Sequence, residues 1–540
     1  MEFIKKRKNF YIVLALILIE LIMGCYRNQN RIITDDEIFS VGLANNTGDF
    51  LFFENREVEN FSNESGWFSG THYRDYITVQ PDEKFSYKNV FINQGRDNHP
   101  PLFYLWVNTV SSFTPNENNY LGAAFINILS LCGVIWLLYL SMRRIVGDKW
   151  YAVVPSILFL CSTGCYQLTN YIRMYTLLCF WTFLLVYIHI CLIKEKKITI
   201  RRQIQLAAVV CLGGLTHYYF YVFGFFMAAT YFMMQLFQIR KELKEKYVVL
   251  WNYVWPYLAG GLTAILVFPK VLRHIFKSSM SGRMQDNLKG NGLPFGETYN
   301  VINHNVFHGK IVWCFVLVVL IVAVFIILLH GKYKEDSNEN QIIWKEYLQI
   351  LLLLTVTLAG FLLIAMKASV YIAWYYFSPV FPVFILLATL IGMLGGWGKQ
   401  PRITYAYYAI ICVYSIFIFI ASMLPIMKQE RNQEMQYQAM VRTLTGCDCI
   451  YLSESWNCLY GNHLPDMAVM DEVRCITPDD YCQTDLKELL NGRETTKQGL
   501  VMICRKIDEQ EKYLEQMKEQ TGLQAMLVWS DEKNAFYRFQ

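Results

Sequence analysis

The chain is poor in charge for its length and lacks most of the short motifs that mark a soluble enzyme. Only 17% of its 540 residues are Asp, Glu, Lys or Arg, and the net charge is +5. A surplus that small excludes a nucleic-acid partner, because binding a phosphate backbone needs many clustered cations. The stretch after residue 427 holds no Gly-rich phosphate loop and no nucleophile elbow. Its cysteines have neither a paired C-x-x-C spacing nor a histidine partner, so a zinc site is excluded there. No internal repeat or low-complexity tract is evident.

Apolar length is what the chain has. It is 54% hydrophobic and 16% aromatic, with a mean hydropathy of +0.24, the profile of a polytopic membrane protein with soluble parts. About eleven helical spans are expected, near 9–25, 119–142, 151–168, 176–193, 203–217, 219–238, 248–268, 310–329, 346–366, 375–394 and 403–424. Alternate gaps separate by charge. Lys5 to Lys8, Arg143-Arg144 with Lys149, Lys194 to Arg202, Arg240 to Lys246, Lys332 with Lys334 and Lys345, and Lys399 with Arg402 fall on one side. Basic loops stay in the cytoplasm, which puts the N-terminus there and, with an odd number of spans, the C-terminus outside the cytoplasm. The first span ends in Ile22-Met23-Gly24-Cys25, a poor fit to a cleavage site, so it reads as a retained helix. Within it, Glu20 faces either the bundle or a wet interface.

The expected fold is therefore an α-helical polytopic membrane domain over 1–426, with a first extracytoplasmic loop at 26–118, and a small extracytoplasmic α/β domain over 427–540. In that tail, Cys449 to Leu452, Leu500 to Cys504 and Ala525 to Trp529 read as buried strands, and Glu509 to Gln520 as an amphipathic helix ended by Gly522. Such alternation suggests an α/β layer with an accessory role, such as acceptor binding. Six tail cysteines, Cys447, Cys449, Cys458, Cys475, Cys482 and Cys504, are open to disulfides or to buried thiols. Pro269 to Gly309, rich in Gly, Asn and Lys, reads as a mobile outer loop.

Chemistry-bearing residues crowd the same outer face. Thr34-Asp35-Asp36-Glu37-Ile38-Phe39-Ser40 follows the first span, and adjacent carboxylates beside lipid carry a hydration cost that simple spanning does not require. Arg96-Asp97-Asn98-His99-Pro100-Pro101 closes the first loop, and its prolines can start a helix whose apolar body lies in the interface. Asn170-Tyr171-Ile172-Arg173-Met174-Tyr175 and Thr216-His217-Tyr218-Tyr219 form two outer turns. Taken singly, an Arg with two Tyr is most often an interfacial anchor, and a lone His most often a packing residue. Four segments reaching one face shift that balance toward a site.

Asp36-Glu37, the Asp-x-His-Pro-Pro-Leu-x-Tyr segment from Asp97 to Tyr104, Arg173-Met174-Tyr175 and Thr216-His217-Tyr218 together resemble the polytopic GT-C glycosyltransferases, above all family 39, the group of protein O-mannosyltransferases and aminoarabinose transferases. The resemblance covers roughly residues 1–390. It implies an inverting transferase that takes a sugar from a polyprenyl-phosphate donor to an acceptor glycan, lipid or protein outside the cytoplasm. It assigns Asp36 as base with Glu37 as its catalytic partner, and places His99 and Arg173 near the lipid phosphate. Asp97, Tyr175 and His217 belong to the substrate-binding set. Where many relatives carry an acidic residue beside that Arg, this chain has Tyr171-Ile172. Where many carry a late Arg-Tyr pair, it has Ala373-Trp374-Tyr375-Tyr376 with Pro379 and Pro382, and Lys367 can take over the late phosphate contact.

The chemistry asks for the same groups. Polyprenyl phosphate leaves as a stable anion, so the acceptor hydroxyl needs a base more than the leaving group needs an acid. The developing phosphate charge needs cations, which Arg173, His99 and Lys367 supply, with Lys270 and Arg273 in reserve. The cytoplasmic loops show no Asp-x-Asp clamp for a nucleotide sugar. No cofactor is required, and a divalent metal is left open. A transporter or flippase of lipid-linked sugars is the alternative, but repeats and midplane charges are lacking. A sensor would leave the first-loop carboxylates unexplained.

Overall fold

Long apolar runs become helices in this chain because a bilayer offers backbone amides no other partner. The computed structural model describes residues 8–29, 31–47, 66–238, 243–277, 296, 299–300, 303–304, 338–368, 374–394, 401–452, 463–491, 499–505, 510–530 and 534–540. Two units form. One comprises Met1–Asn28, Asp97–Phe103 and Ala124–Ile426, and the other Gln29–Arg96, Tyr104–Ala123 and Met427–Gln540.

Six described helices are long and apolar enough to cross a membrane: Lys8–Asn28, Tyr120–Val146, Tyr175–Glu195, Tyr219–Phe237, Trp344–Lys367 and Tyr405–Thr443. Two bent pairs raise the number to eight. Trp150–Leu160 and Thr163–Thr169 meet at 61°. Ser162 sits at that break, and its hydroxyl caps the second helix by accepting from the Cys165 N–H. The remaining expected spans include the 15-residue helix Ile200–Gly214 and the shorter apolar helix Tyr375–Ile391. The expected span at 310–329 lies outside the described residues. In the first span, Glu20 faces the bundle, accepting from Thr169 Oγ1 at 2.9 Å.

One expectation is corrected. The loop starting at Pro269 opens with a helix, Lys270–Lys277, set at 97° to Tyr247–Val267. Pro269 has no N–H to continue the preceding helix, and the chain restarts across it. Val271 and His274 are buried, while Lys270 and Arg273 are exposed.

The basic gaps gather through ion pairs. Arg144 and Arg202 both meet Glu195 at 2.5 Å. Lys194 and Lys196 meet Glu346 at 3.1 and 2.9 Å. Glu195 ends the 21-residue helix Tyr175–Glu195, so its other end lies about 30 Å away at 1.5 Å per residue, one bilayer core.

The second unit is built on a six-stranded sheet of β1 (Phe68–Ser69), β2 (Asp448–Leu452), β3 (Glu472–Ile476), β4 (Leu500–Arg505), β5 (Ala525–Ser530) and β6 (Asn534–Phe539), in the order β1-β3-β2-β4-β6-β5. β2 runs parallel to β3 and β4, and the other pairings are antiparallel. The period of two divides its side chains. Ile450, Leu452, Met502 and Cys504 pack with Tyr481, Leu486, Tyr513 and Met517 from tail helices. Cys449, Tyr451, Val473, Cys475 and Ile503 point the other way and are equally buried. Against them lies Tyr73 of helix Gly70–Ile77, whose hydroxyl is 3.5 Å from Cys475 Sγ. Cys449, Cys475 and Cys504 are unbridged buried thiols and Cys482 is exposed. The long final helix runs on to Thr443 before β2.

Candidate active site

In the first unit, three separated segments converge at the Tyr175 end of that spanning helix. Asp97 Oδ2 lies 2.7 Å from His99 Nδ1. The segment is fixed by the Leu102 N–H, which donates to the Leu215 carbonyl at 3.0 Å, and Pro100-Pro101 leads into helix Leu102–Ser111. That bond joins the segment to the turn that carries His217. The His99 and His217 rings are 5.8 Å apart, and His217 is 5.3 Å from Tyr175. His217 Nδ1 accepts from the Tyr219 N–H at 3.1 Å, which puts the ring proton of the neutral form on Nε2.

The Arg173 turn is held from below. Asn127 Nδ2 donates to the carbonyls of Tyr171 and Arg173 at 2.9 and 3.0 Å. Tyr175 stacks on Tyr375 at 5.0 Å, and Tyr171 donates to the Tyr375 hydroxyl at 3.2 Å. The result is an aromatic wall beside a buried guanidinium. Beyond it, Tyr218 Oη lies 2.6 Å from His274 Nδ1.

Charge couples these groups. Burial alone would raise the Asp97 carboxyl, but the charge and hydrogen bond of His99, the Asn98 amide and Arg173 outweigh it and hold the carboxyl below its usual range. Burial first, then His99 and Arg173, drives the His217 imidazole well below its ordinary value, so it stays neutral at pH 7. The cluster thus offers the Arg173 guanidinium beside the Asp97–His99 pair, which suits an anion such as phosphate.

In the second unit, Asp36 and Glu37 begin helix Asp35–Asn45. Glu37 is wholly buried and takes Arg31 Nη2 at 2.5 and 2.6 Å, with the Thr34 amide at 2.8 Å and the Thr34 hydroxyl at 3.0 Å. This is a capping box reinforced by a guanidinium. Its carboxylate anchors the helix start, while neighbouring Asp36 is half-buried. Lys367 stands exposed in the last turn of helix Asn338–Ala368.

Several of these residues escaped sequence reasoning. Arg31 carries no motif, and only its spacing to Glu37 hints at the pair. Asn127 lies inside an apolar span, a polar residue that should have prompted the question of its partner. Arg27 donates to Asn170 Oδ1 at 3.4 Å and lies over the Tyr166 ring at 5.3 Å, bracing the same turn. Among the described residues, no group of three or more His, Cys, Asp or Glu is gathered as a metal site.

The model of the family described as dolichyl-phosphate-mannose-protein mannosyltransferase matches residues 95–278, the stretch that holds Asp97, His99, Arg173, Tyr175 and His217. No curated protein matches the chain significantly. Among solved structures, ArnT from Cupriavidus metallidurans bound to undecaprenyl phosphate aligns over 97% of this chain and 97% of its own, at 10% identity with a TM-score of 0.52. The Archaeoglobus fulgidus oligosaccharyltransferase tethered with an acceptor peptide covers 99% of this chain and 74% of its own at 12% identity, but its TM-score of 0.43 is too loose to carry weight. The chain thus shares the ArnT fold over nearly its whole length, with several helices long and apolar enough to cross a membrane. The mannosyltransferase model matches about a third of the chain, the part that carries these site segments.

Proposed function

We propose that the enzyme moves a sugar from a polyprenyl-phosphate donor to a hydroxyl of a glycan, lipid or protein at the extracytoplasmic face. The observation that carries this reading is the placement of the Asp97–His99–Arg173–His217 cluster. It lies at the opposite end of the Tyr175–Glu195 helix from the basic ion pairs. Basic loops remain in the cytoplasm, so the cluster belongs outside, with the N-terminus inside and the tail outside. Undecaprenyl phosphate bound to ArnT, which shares the fold, supports the donor class.

In this reading the acceptor oxygen attacks the anomeric carbon as the carbon–phosphate oxygen bond breaks, inverting the centre. Asp36 takes the hydroxyl proton, and the electron pair leaves on polyprenyl phosphate. Glu37 holds Asp36 through the Arg31 pair. His99, with Asp97 behind it, and Arg173 stabilise the phosphate, Tyr175 and His217 shape the donor side, and Lys367 approaches the departing phosphate from solvent. The test is release of free polyprenyl phosphate by purified protein. Asp36→Asn should lower it by roughly 10²-fold with normal membrane insertion. Wild-type protein that releases none, yet moves intact lipid-linked sugar between leaflets of a vesicle, would make it a flippase instead.

A further inference from the structure

The first loop is built into the sheet of the tail. β1 pairs antiparallel with β3 through Phe68↔Val473 and Ser69↔Glu472. The Gly70 N–H donates to the Asp471 carbonyl at 2.9 Å, and Trp67 Nε1 to the Leu489 carbonyl at 3.3 Å. The junction admits no side chain at residue 70, where a Cβ would sit 2.0 Å from the Met470 carbonyl oxygen. Helix Gly70–Ile77 then shares the cover of the second sheet face with Tyr437 and His463 of the tail, and its Tyr73 is wholly buried against Cys475. Withdrawing Tyr73 would open the flank of the sheet at Cys475 to water, which the hydrophobic effect opposes.

The same helix grips the one that carries Asp36. Gly42 lies against the Tyr76 ring so closely that a Cβ would come 2.2 Å from Tyr76 Cε1. Asn45 Nδ2 donates to the Ile77 carbonyl at 2.9 Å. The acidic helix is thus pinned at its start by Arg31–Glu37 and at its end by Tyr76 and Ile77. Gly42 is six residues from Asp36, about 9 Å along a rigid helix, so a displacement at one end reaches the other.

We propose that the tail domain is the frame that positions the acidic helix, with Gly42 and Tyr76 as its positioning residues. This rests on Asp36 acting in transfer, as proposed above. The tail's role is then to hold a first-loop carboxylate in register, and an engineered change near β3 should reach the chemistry without touching it. Misplacing a reacting group by a fraction of an ångström costs rate and leaves remote binding intact.

The test uses the full chain in nanodiscs. In Gly42→Ala, amide hydrogen exchange over 37–45 should rise while that of β2 and β4 stays put. Turnover should fall roughly tenfold or more with undecaprenyl phosphate binding within about twofold of wild type. Adding Tyr76→Leu should reverse both changes, because it clears the space the methyl group needs. A Gly42→Ala protein with wild-type exchange or turnover overturns the proposal, as does a loss that Tyr76→Leu fails to restore. Should Gly42→Ala not accumulate, Tyr76→Leu alone loosens the same contact and must show faster exchange and lower turnover; wild-type values sink the idea. If Asp36→Asn retains activity, the base assignment falls, and the exchange measurements still decide the frame.

Discussion

Two His–Asp pairs among the described residues have nearly equal geometry and unequal surroundings. Asp97 and His99 meet at 2.7 Å with about a fifth of each side chain exposed, whereas His463 and Asp466 meet at 2.9 Å and are almost wholly buried. The first pair has a guanidinium near enough to help hold the Asp97 carboxyl down and an aromatic wall beside it. The second is closed over by Tyr437, whose hydroxyl donates to Asp466, and by the Phe536 ring at 5.1 Å. The pairing itself therefore says nothing about function. What separates a site from a packing motif is access together with surplus charge, since a sealed network has nothing left to offer a ligand.

The sharpest way to break the contrast is to remove the surplus charge. Arg173→Ala should cost roughly 2–4 kcal/mol of transition-state stabilisation, read as kcat/KM for polyprenyl phosphate release. Arg173→Lys keeps the charge and loses the planar fork, so it should fall between alanine and wild type. Full activity of the lysine variant would reduce Arg173 to an interfacial anchor.

Exchanging the histidines tests the two pairs directly. His463→Ala leaves Asp466 to Tyr437 alone and should lower stability by about 1–3 kcal/mol, seen as a lower melting temperature, while turnover at permissive temperature persists. His99→Ala should do the opposite, lowering turnover about tenfold with a smaller thermal shift. Equal behaviour of the two variants would erase the distinction drawn between the pairs.

The sequence made the outer-face motifs readable because each carries an unusual neighbour. Two prolines follow His99, and tyrosines bracket Arg173. In the structure Asp97, His99, Arg173, Tyr175 and His217 lie near one another. It could not be read that Tyr375 would complete the wall, since its contact with Tyr171 spans about two hundred residues and depends on helix packing. Nor could β1, whose two residues gain strand character only from pairing with β3. β3 and β6 were missed because Arg474 and Arg538 interrupt their apolar pattern. Reading the tail alone could not show that an upstream helix packs on its sheet, since the contact of Tyr73 with Cys475 spans some four hundred residues.

The smallest expected effect concerns the acid side of stability, where His217 and Asp97 act in different ranges. Both groups have folded pKa values below their ordinary ones of 6.5 and 3.8. The unfolded chain then binds more protons than the folded one as pH falls through each ordinary value. Stability drops in that direction and is fully present above it. For His217 the loss begins near pH 6.5, well before carboxylates titrate, and continues down to its depressed folded value. The cause is burial, with His99 and Arg173 adding repulsion to a proton that the Tyr219 N–H already keeps off Nδ1. His217→Gln keeps a hydrogen-bonding side chain without the titration, so it should flatten the decline in melting temperature between about pH 7 and pH 5. His463→Gln makes the control, because it changes a buried imidazole outside this cluster. If His217→Gln leaves the acid slope unchanged, the neutral imidazole is no part of the cluster's charge balance, and the donor side rests on Arg173 and the Asp97–His99 pair alone.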